Sequence, residues 1–294
     1  MASSPSRSTT TSPSGERCAV WTWEPSSAAR GVVLLFHGLG SHARFPSTSV
    51  AAEVLSRGGY IVVSPDMPGH GESEGLRGFI YSCDALEQDA LHFAQQTRAS
   101  HPTSLPLFLA GSSMGGALAF RVALSLKDVC GLVLLAPMLA PAASSAARLL
   151  LGMLSYTPIC RMALIPSSAT NNEKQYADPE ILRRVERDEL AYKDNLRVGS
   201  VSALLELGAR CEASISSISC PFLCLLAERE MVLNPAAREA SERLMHEAHT
   251  STEDRSLQRY DALHGLLCET EPLRSTIVND ILNWLNQVAS RMRA

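Results

Sequence analysis

Apolar residues in the first half of the chain come in short continuous runs closed by glycines, and these alternate with stretches whose apolar positions recur at helical spacing. The run GVVLLF at Gly31–Phe36, together with 60–64, 105–110 and 131–137, has the length and continuity of strands buried on both faces of a parallel sheet. Residues 18–23 read as a further short strand. Between them, Pro46–Arg57, closed by Gly58 and Gly59, and 83–97 read as helices, and a third helical run opens at Gly116. Strand and helix in this alternation predict an α/β fold on a doubly wound, mostly parallel sheet flanked by helices. Ligands bind such sheets beyond the carboxyl ends of the strands.

From 138 to 197 the alternation stops. An apolar segment, AARLLLGMLSYTPICRMALIP, gives way to the polar stretch 167–174 and a charged, helix-like run over 179–190. That length between two strands exceeds an ordinary crossover, which predicts an inserted helical cap. A cap that is apolar on one side makes a chamber suited to an acyl chain. The core pattern then resumes with a helix over 198–211, strands over 221–226 and 256–262, and a closing helix over 276–288. The expected organisation is a disordered tail (1–16), a first core part (17–137), a helical cap or lid (138–197) and a second core part (198–294).

Composition narrows this picture. A net charge of -4 and scattered basic residues give no electrostatic footprint for nucleic acid. The opening MASSPSRSTTTSPSG has no apolar run that could serve as a secretory signal, and its Ser, Thr and Pro content predicts disorder. The eight cysteines lie in apolar contexts, as expected of reduced thiols in a cytoplasmic protein, and no Cys/His set has zinc spacing, so neither metal nor cofactor is expected. No apolar run reaches the roughly 20 residues that span a bilayer.

The chemistry centres on Gly111-Ser112-Ser113-Met114-Gly115-Gly116, which lies between a strand pattern and a helix pattern. A nucleophile elbow has this form: the central serine, Ser113, projects from a strained turn so tight that its flanking positions must be glycine. The Met114 N–H then points where an oxyanion forms. The turn His37-Gly38-Leu39-Gly40 after an earlier strand is the candidate for the second oxyanion donor, the N–H of Leu39. A serine nucleophile requires a base oriented by an acid, and in this fold class both follow it in the chain. Glu230, just past a strand end, is the candidate acid, with Glu228 its competitor. His264, in a turn directly after a strand, is the candidate base. His70 sits between glycines and reads as structural, while His246 and His249 lie in a helix and its polar end.

Taken in order, His37-Gly-Leu-Gly40, Asp66-Met-Pro-Gly-His-Gly-Glu-Ser-Glu-Gly75, Gly111-Ser-Ser-Met-Gly-Gly116 and His264 resemble the monoacylglycerol lipase and lysophospholipase-like branch of the α/β-hydrolase superfamily. The resemblance spans residues 31–285, including Tyr192-Lys-Asp-Asn-Leu-Arg-Val-Gly199. It implies a serine esterase with an α/β-hydrolase fold, acting on a lipid ester, foremost a monoacylglycerol, beneath a mobile cap; peripheral membrane association through the apolar cap is a separate expectation. The chain departs from the family at Leu226-Ala227-Glu228-Arg229-Glu230, where members carry His-Gly-x-x-Asp: the acid is Glu and the usual glycine is missing. Lysophospholipid or thioester hydrolysis and acyl transfer run on the same triad. A hydrolase-like binding protein without catalysis is the reading from another class.

Overall fold

The structure, a computed structural model, describes residues 4–141 and 143–292. Residues 1–3 of the expected tail, Ala142 of the expected cap and the last two residues therefore lie outside the described residues. In chain order the elements are β1 (Ser6–Thr11), β2 (Arg17–Trp23), β3 (Gly31–Phe36), α1 (Pro46–Arg57), β4 (Tyr60–Pro65), α2 (Cys83–Ala99), β5 (Leu107–Ser112), α3 (Met114–Ser125) and β6 (Val129–Leu135). They continue as α4 (Ser145–Ser155), β7 (Ala163–Ile165), α5 (Pro179–Arg187), β8 (Leu196–Arg197), α6 (Val198–Ala213), β9 (Phe222–Ala227), α7 (Pro235–Glu247), β10 (Arg255–Tyr260) and α8 (Leu273–Arg291), with short 3-10 turns between.

Eight strands form one sheet in the order β1-β2-β4-β3-β5-β6-β9-β10. The six from β4 to β10 run parallel, and β1 and β2 are antiparallel additions at one edge. The continuous apolar strands are explained by the two cores they separate. In β3, Val32, Leu34 and Phe36 enter the core beneath α2, α3, α6 and α7, whereas Val33 and Leu35 enter the one beneath α1 and α8. Side chains alternate across a strand, so a strand covered on both faces must be apolar at every position. Three strand ends, those of β5, β9 and β10, carry Ser113, Glu230 and His264 just beyond their carboxyl termini.

The N-terminus departs from the disorder that its composition predicts over 1–16. Residues Ser6–Thr11 form β1, paired with β2 from Ser6↔Thr22 to Thr11↔Arg17. A strand exposed on both faces has no alternation to read, and its order comes from elsewhere. Arg7 Nε donates to Glu72 at 2.8 Å, Gln96 Nε2 to Thr10 Oγ1 at 2.9 Å, and both the N–H and the hydroxyl of Ser14 donate to Asp89. Burial raises the Asp89 pKa, and the Ser14 donors partly offset it.

Residues 138–197 divide into two halves of different character. Helix α4 buries none of its side chains and leaves Leu149, Leu150 and Met153 exposed. The second half is bound down. Gly265 N donates to Gln175 O at 2.8 Å, Asp178 N to Cys268 O at 3.2 Å, and Tyr192 N to Gly40 O at 2.8 Å. His42 Nε2 and Asp188 Oδ2 lie 2.9 Å apart. The helix expected over 179–190 stops at Arg187 because Asp188 turns the chain, its Oδ1 accepting from the N–H groups of Leu190 and Ala191. Burial pushes the Asp188 carboxyl up, but His42 and these two N–H groups outweigh it and hold the pKa below its ordinary value.

Candidate active site

Strand β5 runs two residues further than the sequence pattern suggests, through Ser112, and Ser113 breaks it with φ 55° and ψ -118°. A left-handed φ on a non-glycine residue is strained and persists only where neighbours impose it. Here Ser113 N donates to Leu135 O at 3.0 Å and Ser113 O accepts from Met138 N at 3.1 Å, so the β6 end clamps both sides of the residue. The turn closes so tightly that a Cβ on Gly111 would strike the Gly115 carbonyl, and one on Gly115 the carbonyls of Phe36 and His37. Helix α3 begins at Met114, whose N–H belongs to the first turn and has no carbonyl partner within the helix.

The turn after β3 lies against the elbow: a Cβ on Gly38 would sit 3.7 Å from that of Ser113. His37 shapes this turn from beneath. Met67 N–H donates to His37 Nε2 at 3.0 Å, which places the ring proton on Nδ1, where it is donated to Gly38 O at 2.8 Å. Burial, opposed by the Gly38 carbonyl and helped by nearby His42, lowers the His37 pKa to about 4. His70 is buried 5.2 Å from His37, between ring centroids, and burial with the His37 neighbour takes its pKa to about 3. Its Nδ1 lies 3.0 Å from Pro68 O, so it supports the loop and stands apart from the acid.

The expected acid and base meet. His264, buried in the turn after β10, has Nδ1 2.7 Å from Glu230 Oε2. A carboxylate only accepts, so Nδ1 carries the proton and Nε2 is left with its lone pair free to accept one. Glu230 accommodates its extra methylene by folding over its own loop: Oε1 accepts from Val232 N at 2.7 Å and Leu233 N at 3.1 Å. Burial pushes the Glu230 carboxyl up, but the His264 bond and charge and the two N–H groups outweigh it, holding the pKa below normal. Glu228 is exposed and contributes its backbone N–H to Tyr260 O. His246 and His249 are also exposed.

Residues that the sequence pattern did not single out hold the pair in place. Glu269, 3% exposed, accepts from Leu263 N at 2.6 Å, immediately before His264. Arg229, next to Glu230, reaches Glu269 at 3.4 Å and Asp261 at 2.8 Å. Gln175 O holds Gly265 N on the other side of His264. A buried carboxylate four or more residues from a candidate histidine leaves no periodic signal, so the fold alone reveals these supports.

A cavity of about 380 Å³ opens over Ser113, and Leu39 and Met114 line it beside the serine. Its walls come from residues 138–205 and from Val232, Leu233 and Asn234 of the acid loop. Leu151, Ile165, Leu196, Val201, Leu204 and Leu205 make it apolar. None of the lining residues is charged. Among the described residues no group of three His, Cys, Asp or Glu side chains could hold a metal ion, and no helix is long and apolar enough to cross a membrane.

The family model described as serine aminopeptidase, S33, matches residues 27–271. The chain is 27% identical to the monoglyceride lipase of Mus musculus over 271 residues, which covers 90% of this chain and 85% of that one. It is 25% identical to the caffeoylshikimate esterase of Arabidopsis thaliana over 266 residues, covering 88% and 78%. Its fold matches that of a soluble variant of monoglyceride lipase from Saccharomyces cerevisiae with a TM-score of 0.81 at 19% identity, over 97% of this chain and 96% of that one.

Proposed function

We propose that this chain, which belongs to the serine aminopeptidase S33 family of α/β-hydrolases and is a serine hydrolase, cleaves the ester of a monoacylglycerol through an acyl-enzyme on Ser113. His264 Nε2 takes the Ser113 proton as Oγ attacks the ester carbonyl, and Glu230 holds the imidazole and stabilises its charged form. The N–H groups of Leu39 and Met114 receive the oxyanion. His264 then protonates the leaving glycerol oxygen; water, deprotonated by the same histidine, attacks the acyl-enzyme and releases the fatty acid.

The observation that carries the substrate reading is the chemistry of the cavity wall. Its polar side chains besides Ser113 are Ser167 and Asn234, and both are engaged: Ser167 Oγ accepts from Ala169 N, while Asn234 accepts from Ala237 N and donates to Pro141 O. Burying a charge without a partner costs several kcal/mol or more. A neutral acyl glycerol fits such a wall. The phosphate of a lysophospholipid, the ammonium of a peptide N-terminus and a carboxylate-bearing alcohol each lack a counter-charge there.

Residues 138–197 act in this reading as the cap between the core parts 17–137 and 198–294. Leu149, Met153 and Tyr156 are 67%, 57% and 92% exposed, an apolar ridge suited to peripheral contact with the membrane that supplies the substrate. A cytoplasmic setting, with docking on the membrane surface, accords with the eight free cysteines. Purified protein assayed against monoacylglycerols, lysophospholipids, acyl thioesters and short p-nitrophenyl esters tests the reading. Monoacylglycerols are expected to turn over fastest, and activity confined to a charged or thioester substrate would overturn it.

A further inference from the structure

The loop that supplies the acid is also a wall of the cavity. Glu230 is bonded to the N–H groups of Val232 and Leu233, and the side chains of those two residues line the space above Ser113. The Val232 peptide is held from its other side as well, since Ser168 Oγ donates to Val232 O at 3.1 Å. Asn234, the next residue along, reaches Pro141 O at 3.0 Å. One short segment thus touches three things at once: the space a chain would fill, the segment 138–197 above it, and the carboxylate that orients His264.

From this juxtaposition we propose that Leu233, Val232 and Ser168 make the chemical step respond to acyl-chain length. A chain seated on Val232 and Leu233 fixes their peptides, those N–H groups fix Oε1 of Glu230, and Oε2 then holds His264 in the orientation that deprotonates Ser113. The binding energy of the chain, remote from the reacting carbonyl, is thereby realised in the transition state and raises the rate constant of the step, not only the affinity. Asp188 makes the same arrangement on a shorter side chain, one oxygen on the N–H groups two and three residues on and the other on His42, so what ties the acid to the wall is the pair of N–H groups of the loop and not the extra methylene. Ser168 is a positioning residue, acting through Val232 O. Leu233 is specificity-determining through its side chain.

The inference rests on Ser113 being the nucleophile, and the experiment separates the two. Alkyl fluorophosphonates with chains from ethyl to dodecyl are reacted with the full-length protein, and the maximal labelling rate constant and the half-saturating concentration are measured separately for each. In the wild type the rate constant is expected to rise with chain length. In Leu233→Ala and Ser168→Ala the rise is expected to shrink by about three- to tenfold, the worth of one ordinary hydrogen bond or small apolar contact expressed as a rate, while half-saturation still improves with length. Ser168→Thr, which keeps the hydroxyl, restores the rise. Thermal midpoints of the variants near the wild-type value exclude general unfolding, and Ser168→Ala, which removes one oxygen outside the cavity wall, stands in if Leu233→Ala fails to fold. A wild-type rate constant that is flat while half-saturation alone follows chain length overturns the inference and leaves the nucleophile intact. Absence of labelling at Ser113 overturns the reading beneath it.

Discussion

Glu230 and His264 approach to 2.7 Å, and the carboxylate oxygen that does not face the histidine is occupied by the N–H groups of Val232 and Leu233. Both oxygens are therefore directed, and a neutral amide in the same place would present an NH₂ to one of these donors. Glu230→Gln is expected to lower kcat by about three to four orders of magnitude, as loss of the acid does in other triads. Glu230→Asp, which keeps the carboxylate but draws it back by one methylene in a loop shaped around Glu, should fall between. Glu228→Gln should change kcat by less than about twofold, since its side chain is exposed. Steady-state kinetics on a monoacylglycerol checks all three, and a larger loss at Glu228 than at Glu230 would reassign the acid.

The elbow leaves no room for a methyl group. In Gly115→Ala the new Cβ would meet the carbonyls of Phe36 and His37, both in or beside a buried central strand that cannot shift cheaply. A stability loss of about 1–3 kcal/mol or more is expected, read as a lower urea midpoint, with activity falling further than stability because the same carbonyls lead into the Leu39 turn.

Two buried histidines make the fold sensitive to acid. The folded protein holds His37 near pKa 4 and His70 near 3, against 6.5 for the free side chain. Below 6.5 the unfolded chain therefore binds more protons than the folded one, and the stability that neutral burial provides is lost as the pH falls toward those lower values. The slope approaches about 1.4 kcal/mol per pH unit for each histidine. Urea midpoints between pH 7 and 4 should decline steadily, and His70→Gln should show a shallower decline than the wild type.

Much of this arrangement is legible in the sequence. Gly31–Phe36 and Pro46–Arg57 begin and end where the apolar pattern placed them, because burial on both faces and a double-glycine stop are local signals. Ser113, Glu230 and His264 are candidates for a related reason: each lies within a few residues of the end of a strand, so strand order carries all three to the carboxyl end of the sheet. What escaped was long-range. β1 is held by a neighbouring strand and by Glu72 and Gln96, and the turn after it by Asp89 through Ser14, and nothing in a Ser/Thr run announces those partners. The His42–Asp188 pair, 146 positions apart, and the Glu269 support of the His264 turn likewise arise only when the chain closes on itself.

The exposed face of α4 gives a separate expectation. Leu149 and Met153 lie one turn apart, and neither is among the residues lining the cavity. Burying such a side chain is worth about 1.5–3 kcal/mol, so Leu149→Ser with Met153→Ser should weaken co-sedimentation with neutral phospholipid vesicles by more than about tenfold. Hydrolysis of a soluble short-chain ester should persist. Equal vesicle binding by wild type and variant would remove this ridge as the docking surface.

Central to all of this is the hydroxyl of Ser113, carried on a strained backbone turn, and the hydrolysis of a monoacylglycerol by purified Ser113→Ala tests it most directly. Turnover is expected to fall by about four to six orders of magnitude, with a thermal midpoint close to the wild-type value. Hydrolysis at an undiminished rate by a homogeneous, folded Ser113→Ala protein would contradict it.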